Sequence, residues 1–355
     1  MLPKLVATLG PASLDKDKIQ TMDNIGADCF RINLSHSNHN TISEALSICN
    51  SAGVNPCLDT QGAQLRVSGN GTLYKMGESV TLIDSSNINT SLSPSQISSS
   101  ISINHWDELL NSLREGSHLR IDTSGLVLCI NDIQANSIRA EVTSQGTAGL
   151  NRAADLIDTT IKLSPLTSFD IEAIKMPLTK KSKIIYLSFT NSASDVELVK
   201  SMLPNETNIV AKIESKQGII NLSEICDIAD AILIDRGDLS REIGISNVPL
   251  AVNSILKSAS QKTTPVYIAT NILDSMMTSS LPSRAEISDI YNQLCLGAHG
   301  LVLAAETAIG SNPVQSVAVL KHMLDKYKYS KQGISSFIAQ SNQFLAPYPE
   351  LSYWL

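Results

Sequence analysis

Short apolar runs bounded by turn residues recur eight times along this 355-residue chain, and an amphipathic stretch of about 10 to 15 residues follows most of them. Each pair indicates a buried strand followed by a helix that packs against it. The predicted strands are residues 5–9, 28–32, 55–58, 183–187, 208–213, 231–234, 265–269 and 300–303. The clearest predicted helices are residues 194–202, 248–262, 284–296 and 313–327. Eight strand–helix units predict an α/β fold, the closed (β/α)₈ or TIM barrel.

The repeat is interrupted between about residues 68 and 157, where short alternating strands replace the helical periodicity. We predict a small all-β domain inserted there. The predicted domains are residues 1–67 with 158–330 for the barrel, 68–157 for the insertion and 331–355 for a C-terminal tail. Inside the insertion, the serine-rich segment 85–102 is interpreted as a loop or a disordered linker, and residues 118–132 as a hairpin that turns at Thr123-Ser124-Gly125.

Composition excludes several classes of partner. Lysine and arginine total 27 against 34 aspartates and glutamates, a formal net charge of −7, and no basic run is interleaved with aromatic residues, which argues against nucleic acid. No apolar run reaches the roughly 18 residues that cross a bilayer, so we expect no membrane contact and a cytoplasmic protein. The six cysteines form no C-x-x-C pair, which predicts reduced thiols rather than a zinc site or a disulfide framework.

Polar residues follow the predicted strands, at the end where a barrel of this type carries its chemistry. They include arginines, a lysine and several carboxylates. After the second and third strands come Arg31, Asn33, Ser35, His36, Asp59 and Thr60, and after the later strands Lys212, Glu214, Asp235, Arg236, Asp238, Thr270, Asn271, Glu306 and Thr307. Because the carboxyl ends of all eight strands meet at one rim, we expect these side chains to lie together.

The mixture of charges on this rim suits phosphoryl transfer, which needs cations for the transferring group and carboxylates for a divalent metal. Glu214 and Asp238 offer hard oxygen ligands from successive strands, which suit Mg²⁺ or Mn²⁺. Lys212 lies two residues before Glu214, so both side chains share one face of a strand. The same residues also fit a structural network of ion pairs, and the pattern alone leaves both interpretations open.

The chain contains, in this order, the segments VATLGPAS, RINLSHSNH, LDTQGAQLR, IVAKIES, DRGDLSREIG, IATNILDSM, LPSRAEISDI and LGAHGLVLAAETAIGSNP. In order and spacing, from Lys4 to about Tyr327, they resemble the successive motifs of the pyruvate kinase family. The resemblance implies a barrel with a β-rich lid inserted after the third strand. It also implies transfer of a phosphoryl group from phosphoenolpyruvate to ADP, which yields ATP and an enolate that is protonated to pyruvate.

Carried over residue by residue, the resemblance gives the rim residues roles. Arg31 would bind the phosphate of phosphoenolpyruvate, Lys212 would contact the phosphoryl group in transfer, and Thr270 would complete the catalytic set. The backbone N–H groups of Gly237 and Asp238, with the Thr270 hydroxyl, would hold the substrate carboxylate. Glu214 and Asp238 would bind the divalent metal. The remaining implied ligands are Asn33, Ser35, Asp59 and Thr60 for a monovalent cation such as K⁺, and His36, Arg66 and Arg152 for the nucleotide phosphates.

The chain departs from the family's motifs mainly on the nucleotide side. Gln61, Ala63 and Gln64 replace the usual lysine, proline and glutamate. In the lid, residues 150–158 keep Arg152 but lose the glycines of the corresponding motif. After the eighth strand, alanines at 304 and 305 remove a hydroxyl that the family associates with protonation of the enolate.

The family normally continues after the barrel with a regulatory domain, whereas only residues 331–355 follow here, so we expect that domain to be missing. The resemblance implies a pyruvate kinase that forms a homodimer or a larger homo-oligomer. Two alternatives stay open: a paralogue that uses another acceptor or enol-phosphate, and a non-catalytic scaffold that binds phosphoenolpyruvate.

Overall fold

The structure is a computed structural model that describes residues 3–62, 64–85, 100–121, 125–157, 159, 161, 163–176, 183–330 and 347–354. The chain divides into two compact units. The barrel unit comprises Met1–Gly62 with Pro165–Leu355, and the insert unit comprises Ala63–Ser164. Most of the serine-rich segment predicted as a loop or linker, 85–102, lies outside the described residues.

The first part of the barrel unit has clear local signals at its helix ends. Its elements are β1 (Lys4–Leu9), α1 (Lys16–Ile25), β2 (Cys29–Asn33), α2 (His39–Ala52) and β3 (Pro56–Asp59). The Asp15 side chain accepts the Lys18 N–H at the start of α1, and Gly26 ends this helix with a φ of 115°. Asn38 starts α2 with a reciprocal capping box.

The insert unit consists mainly of strands. Its described elements are β4 (Leu65–Ser68), β5 (Leu73–Tyr74), β6 (Ser79–Asp84), β7 (Ser100–Ile103), α3 (Trp106–Ser112), β8 (His118–Ile121), β9 (Leu126–Gln134), β10 (Ser137–Ser144), β11 (Gly146–Thr147) and β12 (Arg152–Leu156). Seven strands close in the order β10-β6-β7-β4-β12-β8-β9, and β5 pairs with β11. The predicted hairpin is confirmed by the antiparallel pairing of β8 with β9, although residues 122–124 of its turn are outside the described part. Helix α3 is a departure from the predicted all-β insertion. The sequence did not reveal it, because seven residues are too few to show a helical period.

The barrel unit then resumes with alternating strands and helices. They are α4 (Ser168–Lys175), β13 (Ile184–Leu187), α5 (Ala193–Met202), β14 (Asn208–Ile213), α6 (Lys216–Ile220), α7 (Leu222–Ile228), β15 (Ala231–Asp235), α8 (Arg236–Ile243), α9 (Val248–Gln261), β16 (Val266–Ala269), α10 (Arg284–Cys295), β17 (Gly300–Leu303), α11 (Ala305–Ala308), α12 (Pro313–Ser330) and α13 (Pro349–Trp354). In the predicted tail, residues 331–346 are outside the described part. None of the described helices combines the length and the apolar character needed to span a membrane.

Eight parallel strands close into a barrel in the order β1-β17-β16-β15-β14-β13-β3-β2. Each lies within one residue of its predicted bounds, so the TIM-barrel prediction is confirmed. Closure pairs the first strand with the last, with Lys4 opposite Gly300. Only glycine fits at this point, because a Cβ on Gly300 would lie 2.6 Å from the Tyr267 ring.

Alternate residues of each barrel strand point into the barrel or outward to the helices. The outward side chains pack with the helices in the main hydrophobic core. The inward apolar side chains form a separate, smaller cluster inside the barrel. This interior cluster includes Val6, Cys57, Tyr186, Val210, Leu233 and Val302. A filled interior leaves the carboxyl end of the barrel as the place where inward residues become polar.

Cys29 and Cys57 are joined by a disulfide, so the expectation of reduced thiols is wrong for this pair. The two residues lie on the neighbouring strands β2 and β3, where the register places Arg31 opposite Cys57. They are 28 positions apart, and strand pairing rather than any local motif brings them together. Cys49, Cys129, Cys226 and Cys295 remain thiols, as expected.

His322, on α12, is only 5% exposed, and we predict that it makes the fold acid-sensitive. Burial lowers the pKa of His322 to about 4, with a further lowering by Lys326, while Asp325 opposes the shift. Between about pH 6.5 and pH 4, His322 is therefore protonated in the unfolded chain but stays neutral in the folded chain. The free energy of unfolding falls as the pH falls through this interval. Over the whole interval the free energy of unfolding falls by about 3 kcal/mol.

Urea unfolding of wild type and His322→Gln between pH 7 and pH 4 measures this effect, and the variant should lose less stability over that interval. His39→Gln is the control, since the His39 side chain is 57% exposed and should leave the acid dependence unchanged. An equal pH dependence in wild type and His322→Gln would contradict the prediction.

Candidate active site

The charged residues of the barrel interior lie directly above its apolar cluster. Side chains two residues apart share one face of a strand, so each inward column changes from apolar to charged toward its carboxyl end. The columns run from Val210 to Lys212 and Glu214, from Leu233 to Asp235, from Cys57 to Asp59, and from Cys29 to Arg31. Arg31, Asp59, Lys212 and Glu214 are all at most 5% exposed. The predicted convergence of these four side chains is therefore present.

Lys212 lies at the centre of the charged cluster. Its Nζ is 2.9 Å from Glu214 Oε1, 3.1 Å from Asp59 Oδ1 and 3.6 Å from Asp235 Oδ2. It also donates a hydrogen bond of 3.1 Å to Ser188 Oγ. The ammonium group is thus surrounded by acceptors, which compensates for its removal from water.

Arg31 occupies the neighbouring position and shares a carboxylate with Lys212. Its Nη1 is 3.1 Å from Asp59 Oδ2, and its Nε donates to Thr8 Oγ1 at 3.1 Å. The guanidinium carbon lies 5.8 Å from the centre of the Tyr186 ring. Asp59 therefore bridges the two cations, which are on strands β2 and β14.

The pKa values of the cluster separate its acids. Burial alone would lower the pKa of Lys212, but Asp59, Glu214 and Asp235 raise it above its usual value, so the lysine stays charged. Burial raises the pKa of Glu214, and Asp235 and Asp238 raise it further, against the opposing effect of Lys212. For Asp235 the burial effect is outweighed by Lys212 and by the Thr270 hydroxyl, which lower the pKa. Asp235 is therefore ionised, whereas the neighbouring Glu214 holds its proton more tightly than an ordinary glutamate does.

Three carboxylates converge beside Lys212, close enough together to share one metal ion. Glu214, Asp235 and Asp238 each present an oxygen within 4.8 Å of the others. Glu214 Oε1 is buried and has no hydrogen-bond partner among the described residues, although Lys212 lies 2.9 Å away. An all-oxygen ligand set of this kind fits a hard divalent cation such as Mg²⁺. The sequence prediction assigned the metal to Glu214 and Asp238, a role that stays a prediction, and placed Asp235 at the rim without a metal role; Asp235 shares the inward face of β15 with Leu233 and joins the same group.

The loop after β16 meets the start of α8 at Thr270. The Thr270 hydroxyl donates a hydrogen bond of 2.6 Å to Asp235 Oδ1, which also accepts the Gly237 N–H at 3.3 Å. A Cβ on Gly237 would lie 3.0 Å from Thr270 Cγ2, so glycine permits the close approach. The groups predicted to hold a substrate carboxylate, Gly237, Asp238 and Thr270, thus surround Asp235; their role in binding stays a prediction.

The residues predicted for a monovalent cation occur at the ends of two paired strands, β2 and β3. Asn33 lies opposite Asp59 in the register, and its side-chain oxygen accepts the Ser35 N–H at 2.9 Å. The Thr60 carbonyl accepts a hydrogen bond of 2.7 Å from Ser188 Oγ. These oxygens already have protein donors in this structure, and their assignment to K⁺ stays a prediction.

The residues predicted for the nucleotide are divided between the two units. His36 ends the short 3₁₀ turn Leu34–His36 of the barrel unit. Arg66 and Arg152 are on the paired strands β4 and β12 of the insert unit, and Arg66 Nη1 donates to the Asn151 carbonyl at 3.2 Å. Their role at a nucleotide stays a prediction.

The sequence reasoning named neither Ser188 nor Asp170. Ser188 follows β13, and its Oγ accepts from Lys212 at 3.1 Å and lies 3.2 Å from Asp59 Oδ1, with its one hydroxyl hydrogen shared between Asp59 and the Thr60 carbonyl. Asp170 is fully buried on α4 and accepts the N–H groups of Gln61 and Gly62, which follow β3. The Thr167-x-x-Asp170 capping box was a readable signal for Asp170, whereas nothing local distinguishes Ser188 from other serines.

Comparisons with known proteins find relatives of one family. A family model described as pyruvate kinase, barrel domain, matches residues 2–317. The pyruvate kinase of Corynebacterium efficiens is 30% identical over 336 residues, which covers 90% of this chain and 69% of that protein. The pyruvate kinase of Sporosarcina psychrophila is 29% identical over 329 residues, which covers 89% of this chain and 55% of that protein. The matched region is thus little more than half of some curated relatives.

A solved structure shares the fold. The crystal structure of Cryptosporidium parvum pyruvate kinase superimposes with a TM-score of 0.81 at 25% sequence identity. The superposition covers 92% of this chain and 70% of that one.

Replacement of Asp59 by asparagine tests the dependence of the site on its buried carboxylate. Asp59→Asn keeps the shape of the side chain but leaves Lys212 and Arg31 in the interior with one charge fewer to balance them. Loss of one partner from a buried ion pair typically costs about 3–5 kcal/mol of the free energy of unfolding, measured by chemical denaturation. Asp227→Asn is the control, because its pair with Lys262 is at the surface and should contribute less than about 1 kcal/mol. Equal destabilisation by the two changes would contradict this interpretation.

Proposed function

The chain belongs to the pyruvate kinase family, and from this premise we propose that it transfers the phosphoryl group of phosphoenolpyruvate to ADP, with ATP and pyruvate as products. The observation that carries the proposal is Lys212, held as a cation among Asp59, Glu214 and Asp235 at the carboxyl end of the barrel. A transferring phosphoryl group carries spread negative charge, and a fixed cation in a dry pocket stabilises it strongly.

Each cation of the cluster has a task in this reaction. Lys212 has three N–H donors and contacts the phosphoryl group as it moves, so it acts most strongly in the transition state. Arg31 offers a planar fork that binds phosphate oxygens. Tyr186 and Thr8 hold the Arg31 guanidinium from two sides and orient it before substrate arrives.

The carboxylates Glu214, Asp235 and Asp238 are proposed to hold Mg²⁺ or Mn²⁺. A divalent cation there would neutralise charge on the substrate oxygens as a Lewis acid. The Glu214 Oε1 atom supports this assignment, because it is buried and has no hydrogen-bond partner among the described residues.

The remaining assignments follow from the same function. Asn33, Ser35, Asp59 and Thr60 are proposed for K⁺. The N–H groups of Gly237 and Asp238 are proposed for the substrate carboxylate, with the Thr270 hydroxyl, and His36, Arg66 and Arg152 are proposed for the nucleotide. We further propose a cytoplasmic location and a homodimer or larger homo-oligomer.

Transfer to another acceptor is the second candidate, and Gln61 favours it. Its side-chain nitrogen donates to the Leu34 carbonyl at 3.2 Å, and its oxygen accepts from Thr167 Oγ1 at 3.1 Å. Gln61, which replaces a lysine of the family motif, is therefore held by hydrogen bonds within the barrel unit. This change affects the acceptor side and leaves the Lys212 cluster intact.

A pyruvate assay with phosphoenolpyruvate, ADP and Mg²⁺ tests the function. Wild type should form pyruvate, and Lys212→Met should lower kcat at least about 100-fold, the loss typical of one transition-state charge. Lys262→Met is the matched control, since Lys262 pairs with Asp227 at the surface and should keep wild-type activity. If pyruvate forms only with an acceptor other than ADP, the second candidate is favoured. If pyruvate forms with no acceptor, both candidate functions are refuted.

Manganese binding, measured by calorimetry without substrate, tests the metal site. Glu214→Gln and Asp235→Asn should each weaken Mn²⁺ binding at least about tenfold, the loss typical even of groups that only orient a ligand. Asp227→Asn should bind as wild type does, because Asp227 is a surface carboxylate. Unchanged affinity in Asp235→Asn would remove Asp235 from the ligand set.

A further inference from the structure

The turn after β16 adopts an unusual backbone conformation at the edge of the site. Thr270 has a φ of 75° and Asn271 a φ of 55°, both in the left-handed region. Threonine is β-branched and is rarely found there, because its side chain crowds the backbone. Such a conformation persists only where neighbouring groups enforce it, and it is concentrated at functional sites.

Glu306 accepts hydrogen bonds from the backbone that follows this turn. This carboxylate is 2% exposed, and its Oε1 accepts the N–H groups of Ile272 and Leu273 at 3.0 and 3.1 Å. Its Oε2 accepts the Ala304 N–H at 2.8 Å. One buried side chain thus connects the turn after β16 to the turn after β17 through three backbone donors.

Arg236 donates hydrogen bonds to the carbonyls of the same turn. Its Nε and Nη2 donate to the Thr270 carbonyl at 3.0 and 2.6 Å, and Nη2 also donates to the Asn271 carbonyl at 3.1 Å. Asp289 holds the guanidinium by a contact of 2.7 Å to Nη1. The carbonyls of the turn are therefore fixed by Arg236, while the following N–H groups are fixed by Glu306.

The orientation of the turn decides the direction of the Thr270 hydroxyl. This hydroxyl donates to Asp235 at 2.6 Å, and Asp235 belongs to the carboxylate group with Glu214 and Asp238. Rotation of the turn would take the Thr270 hydroxyl away from Asp235. It would also shift Thr270 Cγ2, the atom that lies 3.0 Å from the position a Cβ on Gly237 would take.

We propose that Glu306 and Arg236 are positioning residues that hold Thr270 in its left-handed conformation and so aim its hydroxyl at Asp235. The proposal rests on the proposed function for its effect on turnover, but its effect on the carboxylate group does not depend on turnover. Glu306 acts on Thr270 through the backbone and has no direct contact with the reacting atoms. A merely structural role would instead stabilise the two turns without any dependence on the hydroxyl.

A double-mutant cycle of Glu306→Gln with Thr270→Ala separates these roles. The amide oxygen of the glutamine can still accept the N–H groups of one turn, but its NH₂ group faces the N–H of the other turn, donor against donor. At least one of the three hydrogen bonds made by Glu306 is therefore lost. Misplacement of this kind costs up to about 100-fold in rate. We expect kcat to fall by 10- to 100-fold in Glu306→Gln, with the KM for ADP unchanged, and no further fall when the change is made in Thr270→Ala. Losses that multiply in the double variant would overturn the proposal.

The same cycle is read out by Mn²⁺ binding, which needs no turnover. Thr270→Ala and Glu306→Gln should weaken Mn²⁺ binding by similar factors, at least about tenfold, and the double variant should equal Thr270→Ala. If wild type makes no pyruvate, the proposed function fails while this measurement still decides the positioning role. Wild-type affinity in Glu306→Gln would overturn that role.

Two further variants guard against misfolding and non-specific effects. Arg236→Lys keeps the charge but loses the fork that reaches both carbonyls, so it should reproduce the pattern of Glu306→Gln. Glu286→Gln is the matched control, because Glu286 also accepts backbone N–H groups, those of Ser275 and Ser283, without contact to Thr270. It should leave kcat and Mn²⁺ affinity unchanged. A loss in Glu286→Gln as large as that in Glu306→Gln would mean that any weakened turn has this effect.

Discussion

A lysine ammonium in the interior of a barrel is stable only where carboxylates replace the water it has lost. Lys212 meets this condition through Asp59 and Glu214, at 3.1 and 2.9 Å. Asp59 in turn uses its other oxygen for Arg31, and Ser188 bonds to Asp59 and Lys212. The positions of strands β2, β3, β13 and β14 are thereby connected through one buried charge. Beside this network, Glu214, Asp235 and Asp238 bring together carboxylate oxygens of the kind that suits a hard divalent cation.

The barrel separates packing from chemistry along its axis. Inward residues such as Val210 and Leu233 fill the lower interior, and the charged residues begin two positions later on the same strands. The apolar layer keeps the cluster dry from below, which strengthens every charge interaction in it. The Cys29–Cys57 disulfide lies within this layer, directly before Arg31 and Asp59 in their columns. A single alternation of side chains therefore supplies both the core and the site.

Acidic residues have two different tasks in this molecule. Asp59, Glu214 and Asp235 face cations in the cluster. Asp170 and Glu306 are buried as well, but they accept backbone N–H groups of the turns after β3, β16 and β17. The resemblance assigned roles to Asp59 and Glu214 but none to Asp170 or Glu306, because these two act on main-chain atoms that every residue has.

The sequence by itself determined the eight strands, the interruption between them and the residue types that reach the rim, because hydrophobic period and turn residues are local properties. It also indicated Lys212, Glu214 and Asp238 correctly as neighbours, since strand ends in a barrel meet. Only the tertiary structure decided that Asp235 joins the carboxylate group, that Cys29 meets Cys57 and that Glu306 turns to the backbone. These outcomes depend on the register of strands far apart in the chain, and no local pattern encodes that register.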